Sequence, residues 1–170
     1  INDWLDMSRL DEGHIRHHLQ PTSVASSVTA ALACLEYSAK NKNIELNVDI
    51  PSDLPMIQAD LHSFREALSN IISNSINYNV PGGTVTISAW EQENYIVIEI
   101  KDSGLGIDEK EIPFLFDQFF RSKDKKVRSE QGTGLGLSIA QKTILAHGGK
   151  IEVRSELGKG TSFLIFMNRH

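Results

Sequence analysis

The sequence predicts an α/β (α+β) two-layer sandwich: a mixed, mainly antiparallel sheet of about five strands, covered on one face by about three helices. Three observations predict it. Helical stretches stand at about 24–41, 61–78 and 135–147, the first with Val24, Val28, Ala31, Leu32 and Leu35 at helical spacing. Strand stretches stand at about 44–50, 84–91, 95–102, 150–155 and 161–167. Four of these strands form hairpins, through a polar turn at Glu91–Asn94 and another around Leu157–Gly160, which fits a sandwich better than a doubly wound parallel sheet.

Taken in chain order, residues 1–10 read as the end of a helix, with Ile1, Trp4 and Leu5 on one side and Gly13 as its stop. His14, His17 and His18 follow in a polar linker. The opening INDWLDM lies mid-helix, so the chain reads as a piece of a longer protein. Residues 1–18 form its remnant of a preceding helix and linker, and 19–170 form one domain. Cys34 reads as a buried small apolar residue. In 44–50, Ile44, Leu46, Val48 and Ile50 alternate with polar residues, the pattern of a strand with one buried face. Pro51 and Pro55 bracket a loop. Either Asp60, or Ser63 with Glu66 three on, caps the next helix. The core stripe of that helix is Leu61, Phe64, Leu68, Ile71 and Ile72. Pro81-Gly82-Gly83 turns the chain into the first hairpin. A long loop runs over 108–133, and Gly148-Gly149 ends the last helix.

Bulk properties bound the function. The chain has 170 residues, 40% apolar and 23% charged, with a net charge of −5. That is one domain's worth of core, and an acidic balance that excludes a general nucleic-acid surface. A single cysteine excludes an internal disulfide and suits a reducing compartment. No apolar run approaches the roughly 20 residues of a membrane span.

Three segments carry chemistry. On helix 61–78, Glu66, Asn70, Asn74 and Asn77 share a narrow arc opposite much of the apolar stripe. This is a solvated face or a set of ligating amides. Asn is a poor helix former, and Lys, Glu or Gln would solvate a face at less cost. A neutral amide oxygen can ligate Mg²⁺ without bringing negative charge to a polyphosphate. In 95–102, Ile96, Ile98 and Ile100 share one face, and Asp102 continues their parity inward. Asp102 either closes an Asx-turn in its own Asp-Ser-Gly segment or accepts a hydrogen bond from a ligand N–H such as an adenine amine. Gly132, Gly134 and Gly136 alternate just before a helix, where backbone N–H groups favour an anion. Leu137 excludes a Walker loop there. Arg121, Lys123, Lys125, Lys126 and Arg128 form the one strongly basic stretch, a solvated loop or a cover for phosphates. Phe114, Phe116, Phe119 and Phe120 read as anchors that pack the loop's base on the core. His147 reads as a cap or a favourable charge at a helix C-terminus.

Together these segments resemble the catalytic and ATP-binding domain of sensor histidine kinases, in the gyrase–chaperone–histidine kinase superfamily (Bergerat fold). SNIISNSINYN at 69–79 resembles the N box, DSGLGI at 102–107 the first glycine box, and FLFDQFFR the F box. GTGLGLS at 132–138 resembles the second glycine box, and GKGTSF the closing strand motif. The likeness covers about 19–170. Residues 1–13 look like the tail of a dimerisation helix, without the phosphoacceptor histidine that such helices carry.

The resemblance implies two cofactors, ATP and Mg²⁺, and a long ATP lid. It implies that Asn74 ligates Mg²⁺ and acts with Arg121 as the catalytic pair. Asn70 and Asn77 would lie near the phosphates and Tyr78 beside the adenine. Asp102 would bond the adenine amine, with Gly104, Gly106 and Ile107 at the ring and Thr161 supporting through water. Arg121 and Lys126 of the lid would reach phosphate oxygens, while Gly132, Thr133, Gly134, Leu135, Gly136 and Leu137 would wrap the triphosphate. Two departures stand: Asn77 where many members have Lys, and Asp117-Gln118 where Glu-Pro is frequent. The implied partners are the dimerisation and phosphoacceptor helices of the same parent protein and a response-regulator receiver domain, with no nucleic acid. The parent would be a homodimer, the fragment a monomer, and the domain cytoplasmic whether or not the parent is membrane-anchored. Three other functions compete: a self-sufficient ATPase of the same superfamily, which would want a Glu base where Asn70 stands, a non-catalytic nucleotide-binding scaffold, and a small kinase aimed at protein serine, as in anti-sigma factors of the same fold.

Overall fold

A computed structural model describes residues 18–122 and 133–170. The expected elements are present as β2 (Glu45–Asp49), β4 (Thr84–Gln92), β5 (Tyr95–Asp102), β6 (Lys150–Glu156) and β7 (Gly160–Asn168), with helices α1 (Val24–Ala33), α3 (Leu61–Asn77) and α4 (Gly136–Ala146). The sheet order is β2-β4-β5-β7-β6. β2 runs parallel to β4 and every other pair is antiparallel. The two-layer, mixed five-stranded sandwich is therefore the observed fold.

α3 is the central helix, packed against α1 on one side and α4 on the other. Its Phe64, Leu68, Ile71, Ile72 and Ile76 are fully buried, and they meet Ile87 of β4, Ile96, Ile98 and Ile100 of β5, and Phe163 and Ile165 of β7. Period 3.6 on the helix and period 2 on the strands each present one apolar side, and the sandwich is their mutual burial. Leu61 departs from the expected stripe. It stands at the first position of α3, beyond the reach of the sheet, and is exposed. The far face of the sheet carries a second, smaller cluster of Val97, Leu164 and Phe166 under Trp90 and Tyr95, with Lys150 Nζ 4.2 Å from the Phe166 ring centre.

Four other expectations are corrected. The stretch 24–41 is two helices, because the chain tightens at Leu35 (N–H to Leu32 O, 2.8 Å) before α2 (Glu36–Asn41). Cys34, at that break, faces out and is exposed rather than buried. Val48 is 52% exposed, because β2 is an edge strand that the helices only partly cover. A separate two-stranded sheet pairs β1 (Gln20–Thr22) with β3 (Ile57–Ala59), where only a loop was expected.

Helix ends explain how α3 is held. Asp60 is its N-cap: Oδ1 accepts from His62 N at 3.1 Å and Ser63 N at 3.0 Å. Lys42 Nζ donates to Asn77 O at 3.0 Å, placing a cation at the C-terminus. His147, at the end of α4, is buried and accepts from the Asp60 N–H at Nε2 (3.0 Å), while Nδ1 donates to Thr143 O at 2.6 Å. It is a cap, as expected, but a neutral one: its Nε2 serves as an acceptor, so it supplies no charge. It ties the end of α4 to the start of α3. His147→Ala leaves the Asp60 N–H unpaired and empties a buried space. The expected loss is about 2–4 kcal/mol, read as a lower urea midpoint at unchanged slope.

Candidate nucleotide-binding site

One cavity of about 780 Å³ opens between α3, the end of β5 and the start of α4. That is the size of a small-molecule or cofactor cleft. Its walls come from segments far apart in the chain: Asn70, Ser73, Asn74, Asn77 and Tyr78 of α3 and its cap, Asp102 at the end of β5 with Gly106 and Ile107 beyond it, Phe120 and Arg121, then Thr133, Gly134, Gly136 and Leu137, and finally Thr161 of β7.

The floor is Asp102. It is 8% exposed, and its Oδ1 accepts two backbone hydrogen bonds, from Gly104 N at 2.9 Å and Thr161 N at 3.1 Å. The Asx-turn and the inward carboxylate are thus one arrangement. The turn consumes a single oxygen and leaves the group in the cavity wall. Burial pushes the Asp102 carboxyl above the ordinary aspartate range, against the opposing pull of the Gly104 and Thr161 N–H groups and of the Ser75 hydroxyl. Ser75 Oγ nevertheless closes no hydrogen bond, and it is the one buried side-chain polar atom without a partner among the described residues.

The glycine turn after Asp102 is shaped by close packing. Gly106 has φ +69, and a Cβ there would collide with Glu156 O. Ile107 N donates to Ser155 Oγ at 2.8 Å, and Ser155 Oγ also meets Gly160 O at 3.0 Å and Thr161 Oγ1 at 2.9 Å. Ser155 therefore knots the turn to the β6–β7 hairpin. Sequence reasoning missed it, because a serine in an alternating strand carries no distinguishing signal.

On the opposite wall, Asn70 and Asn74 are half-buried, and their amides engage no partner among the described residues. The Asn77 Nδ2 donates to Ser73 Oγ at 3.3 Å. A Cβ on Gly136 would sit 3.6 Å from Asn70 Oδ1, so the start of α4 abuts the amide row. The N-cap position of α4, Leu135, offers no side-chain oxygen, and Gly136 and Leu137 of the first turn line the cavity, where backbone N–H groups at a helix start favour an anion.

Some expected site residues are placed elsewhere. Gly104 contributes its N–H to Asp102 rather than a surface to the cavity. Leu135 is buried against Ile139. Of the four phenylalanines expected to anchor the loop, Phe116 packs on the core, whereas Phe114 and Phe120 line the cavity 6.4 Å apart. Phe119 is 61% exposed, with φ +63 and its N–H on Gly134 O at 3.0 Å. Asp108, Lys110, Glu111 and Ser122 line the mouth, and the sequence reading had not singled them out. The expectations for Lys123, Lys125, Lys126, Arg128 and Gly132 lie outside the described residues, as do those for residues 1–17.

A sandwich with a buried acid on its sheet side, amides without a partner among the described residues on its helix side and a helix start between them defines a nucleotide-binding ATPase fold. Comparison with known proteins specifies it. Residues 59–170 match the family model described as histidine kinase-, DNA gyrase B-, and HSP90-like ATPase. The circadian input-output histidine kinase CikA of Synechococcus elongatus is 32% identical over 98% of this chain and 22% of its own length. The sensor histidine kinase WalK of Bacillus subtilis is 33% identical over 95% of this chain and 27% of its own length. The crystal structure of full-length ShkA in complex with AMPPNP superposes with a TM-score of 0.85 at 27% identity, over 99% of this chain and 35% of that one. The chain belongs to this family, as a catalytic ATPase domain of sensor histidine kinases, the proteins of two-component signalling. It spans less than a third of the length of these two curated relatives. Among the described residues, no helix is long and apolar enough to cross a membrane.

Proposed function

We propose that this domain binds Mg-ATP in the cleft and presents the γ-phosphate to a histidine on the dimerisation helices of the same protein, for relay to an aspartate of a response regulator. The observation that carries the reading is one buried carboxylate sharing a cavity of nucleotide size with two amides that engage no partner among the described residues.

Asp102 accepts the adenine amine, with Thr161 beside it and Tyr78, Gly106 and Ile107 around the ring. The residues present fit a Mg²⁺ ion that arrives with the nucleotide. No cluster of three or more His, Cys, Asp or Glu among the described residues could hold a cation alone, whereas the Asn74 oxygen is a hard neutral donor. Bound there, Mg²⁺ would neutralise phosphate charge. Asn70 and the first-turn N–H groups of α4 face the phosphates, with Arg121 at the rim. This chain's part in transfer is positioning and charge balance. The attacking group is an imidazole nitrogen. It forms the new P–N bond as the bond from the γ-phosphorus to the bridging oxygen breaks and ADP departs. Asn70 stands one helical turn before Asn74, and an amide cannot take a proton from water, which disfavours self-sufficient hydrolysis.

Calorimetric titration and γ-labelled ATP test this reading together. The chain is expected to bind ATP more tightly with Mg²⁺ than without. Asn74→Ala is expected to erase that difference, and the chain alone should retain no label. A longer protein carrying the helical pair should become labelled on histidine. If it stays unlabelled while binding ATP, the transfer proposal is wrong.

A further inference from the structure

Ser75 lies on the buried side of α3, one residue beyond Asn74, and is 2% exposed. Serines and threonines inside helices ordinarily return their hydroxyl to the carbonyl four residues back. Ser27 does so to Ser23 O at 2.8 Å and Thr29 to Ala25 O at 2.9 Å. Ser75 does not; its Oγ is buried and unpartnered. Alanine would fill this position at less cost to the helix. A buried hydroxyl that forgoes its local acceptor calls for an explanation.

The turn that follows Asp102 packs on the end of α3, Leu105 N donating to Tyr78 O at 3.0 Å one turn beyond Ser75, and the Ser75 hydroxyl acts on the Asp102 carboxyl. Asp102 Oδ1 is occupied by two backbone N–H groups. The remaining lone pairs of the carboxylate can serve a ligand amine and one further donor. We infer that Ser75 is a positioning residue for the purine-reading carboxylate, its hydroxyl held as the third protein donor to Asp102 and closing on it when a nucleotide amine occupies the cleft. Closure is favoured then because the ligand displaces bulk water, and in a dry site each hydrogen bond to the carboxylate is electrostatically stronger. Already without a ligand, the Ser75 hydroxyl draws the Asp102 carboxyl downward against the effect of burial. No charged side chain contributes to that balance, which consists of burial, the Gly104 and Thr161 N–H groups and Ser75. Among the described residues, the other charged groups lining the same cavity are Asp108, Lys110, Glu111 and Arg121, and they are common to every variant below.

This inference rests on the reading of Asp102 as the adenine acceptor, and the experiment separates the two. ATP and the 6-unsubstituted purine riboside triphosphate, which lacks the amine, are titrated into the whole chain, into Ser75→Ala, into Ser75→Thr and into Asp102→Asn, from pH 5 to 8. Ser75→Ala is expected to fold normally, since it removes an unpaired polar group. It should bind ATP about 5- to 10-fold more weakly at pH 7. The acid limb of its affinity profile should move to higher pH, because the carboxylate then protonates more readily. It should bind the amine-free analogue as the parent chain does. Ser75→Thr, which keeps the hydroxyl, should stay within about twofold of the parent for ATP. An unchanged ATP affinity and acid limb in Ser75→Ala, or equal losses for both nucleotides, would overturn the role of Ser75. An Asp102→Asn variant that still binds ATP normally would instead overturn the adenine reading beneath it.

Discussion

Asp102→Asn is expected to keep the fold and lose the nucleotide. The Asn Oδ1 can accept from Gly104 N and Thr161 N just as the carboxylate oxygen does, so both backbone donors stay satisfied. That requirement fixes the amide orientation and points the NH₂ group into the cleft. In the proposed binding mode a donor would there face the adenine amine, also a donor, and a charge-assisted hydrogen bond becomes a mismatch. The expected loss is roughly 100-fold in ATP affinity, about 2.7 kcal/mol. Stability moves the other way. Because burial raises the Asp102 carboxyl in the folded chain, holding it ionised is costly above that raised pKa. The cost is relieved as pH falls through the raised value toward the ordinary aspartate value. Asn removes it at every pH. The unliganded variant should therefore melt at or above the parent temperature at pH 7, with the gap closing on acidification. For the parent chain the same sign makes ATP affinity fall as pH drops through the raised pKa. Thermal melts and titrations across this range check both halves. A variant that binds ATP as the parent does would refute the role of Asp102.

The second large effect is expected at Gly160→Ala. Gly160 opens β7 with φ +105, a conformation that L side chains rarely adopt, and a Cβ there would collide with Asp102 O. The neighbouring atoms are backbone, so nothing can swing aside. Either β7 shifts away from the end of β5 or the hairpin turn distorts. The expected cost is about 3 kcal/mol, or roughly 6–12 °C in melting temperature for a domain of this size. Nucleotide affinity should fall with it, because the next residue, Thr161, supplies one of the two N–H groups on Asp102. Calorimetric melting with and without ATP measures both. A melting temperature within about 1 °C of the parent would contradict the packing described here.

Much of the fold was legible because its long elements obey one period each. The stripe Phe64, Leu68, Ile71 and Ile72 predicts the buried side of α3, and Ile96, Ile98 and Ile100 predict the parity that turns Asp102 inward. The illegible parts are those decided by tertiary context. β1 and β3 are three residues each and are defined only by their mutual pairing, from Gln20–Ala59 to Thr22–Ile57, which no local pattern encodes. Val48 has the right period and the wrong place, on a strand that the helices barely reach. Cys34 faces out because the helix breaks beside it, without a glycine or proline to announce the break. At the cleft, the sequence singled out the asparagines, the acid and the glycines, whose residue types are unusual for their positions. It passed over Ser155 and Ser75, whose roles depend on what lies across from them.

The order in which the sheet can assemble follows from its pairing. β4–β5 and β6–β7 are hairpins that can zip from short turns, whereas β2 joins β4 in parallel only after a loop containing all of α3 has closed. Asp102 lies on the first hairpin and Thr161 on the second, so the carboxylate gains its second backbone donor only once the two have docked. If Asp102 reads the purine as proposed, a half-assembled chain offers a nucleotide no seat, and ligand added during refolding should slow unfolding of the finished domain without accelerating its formation.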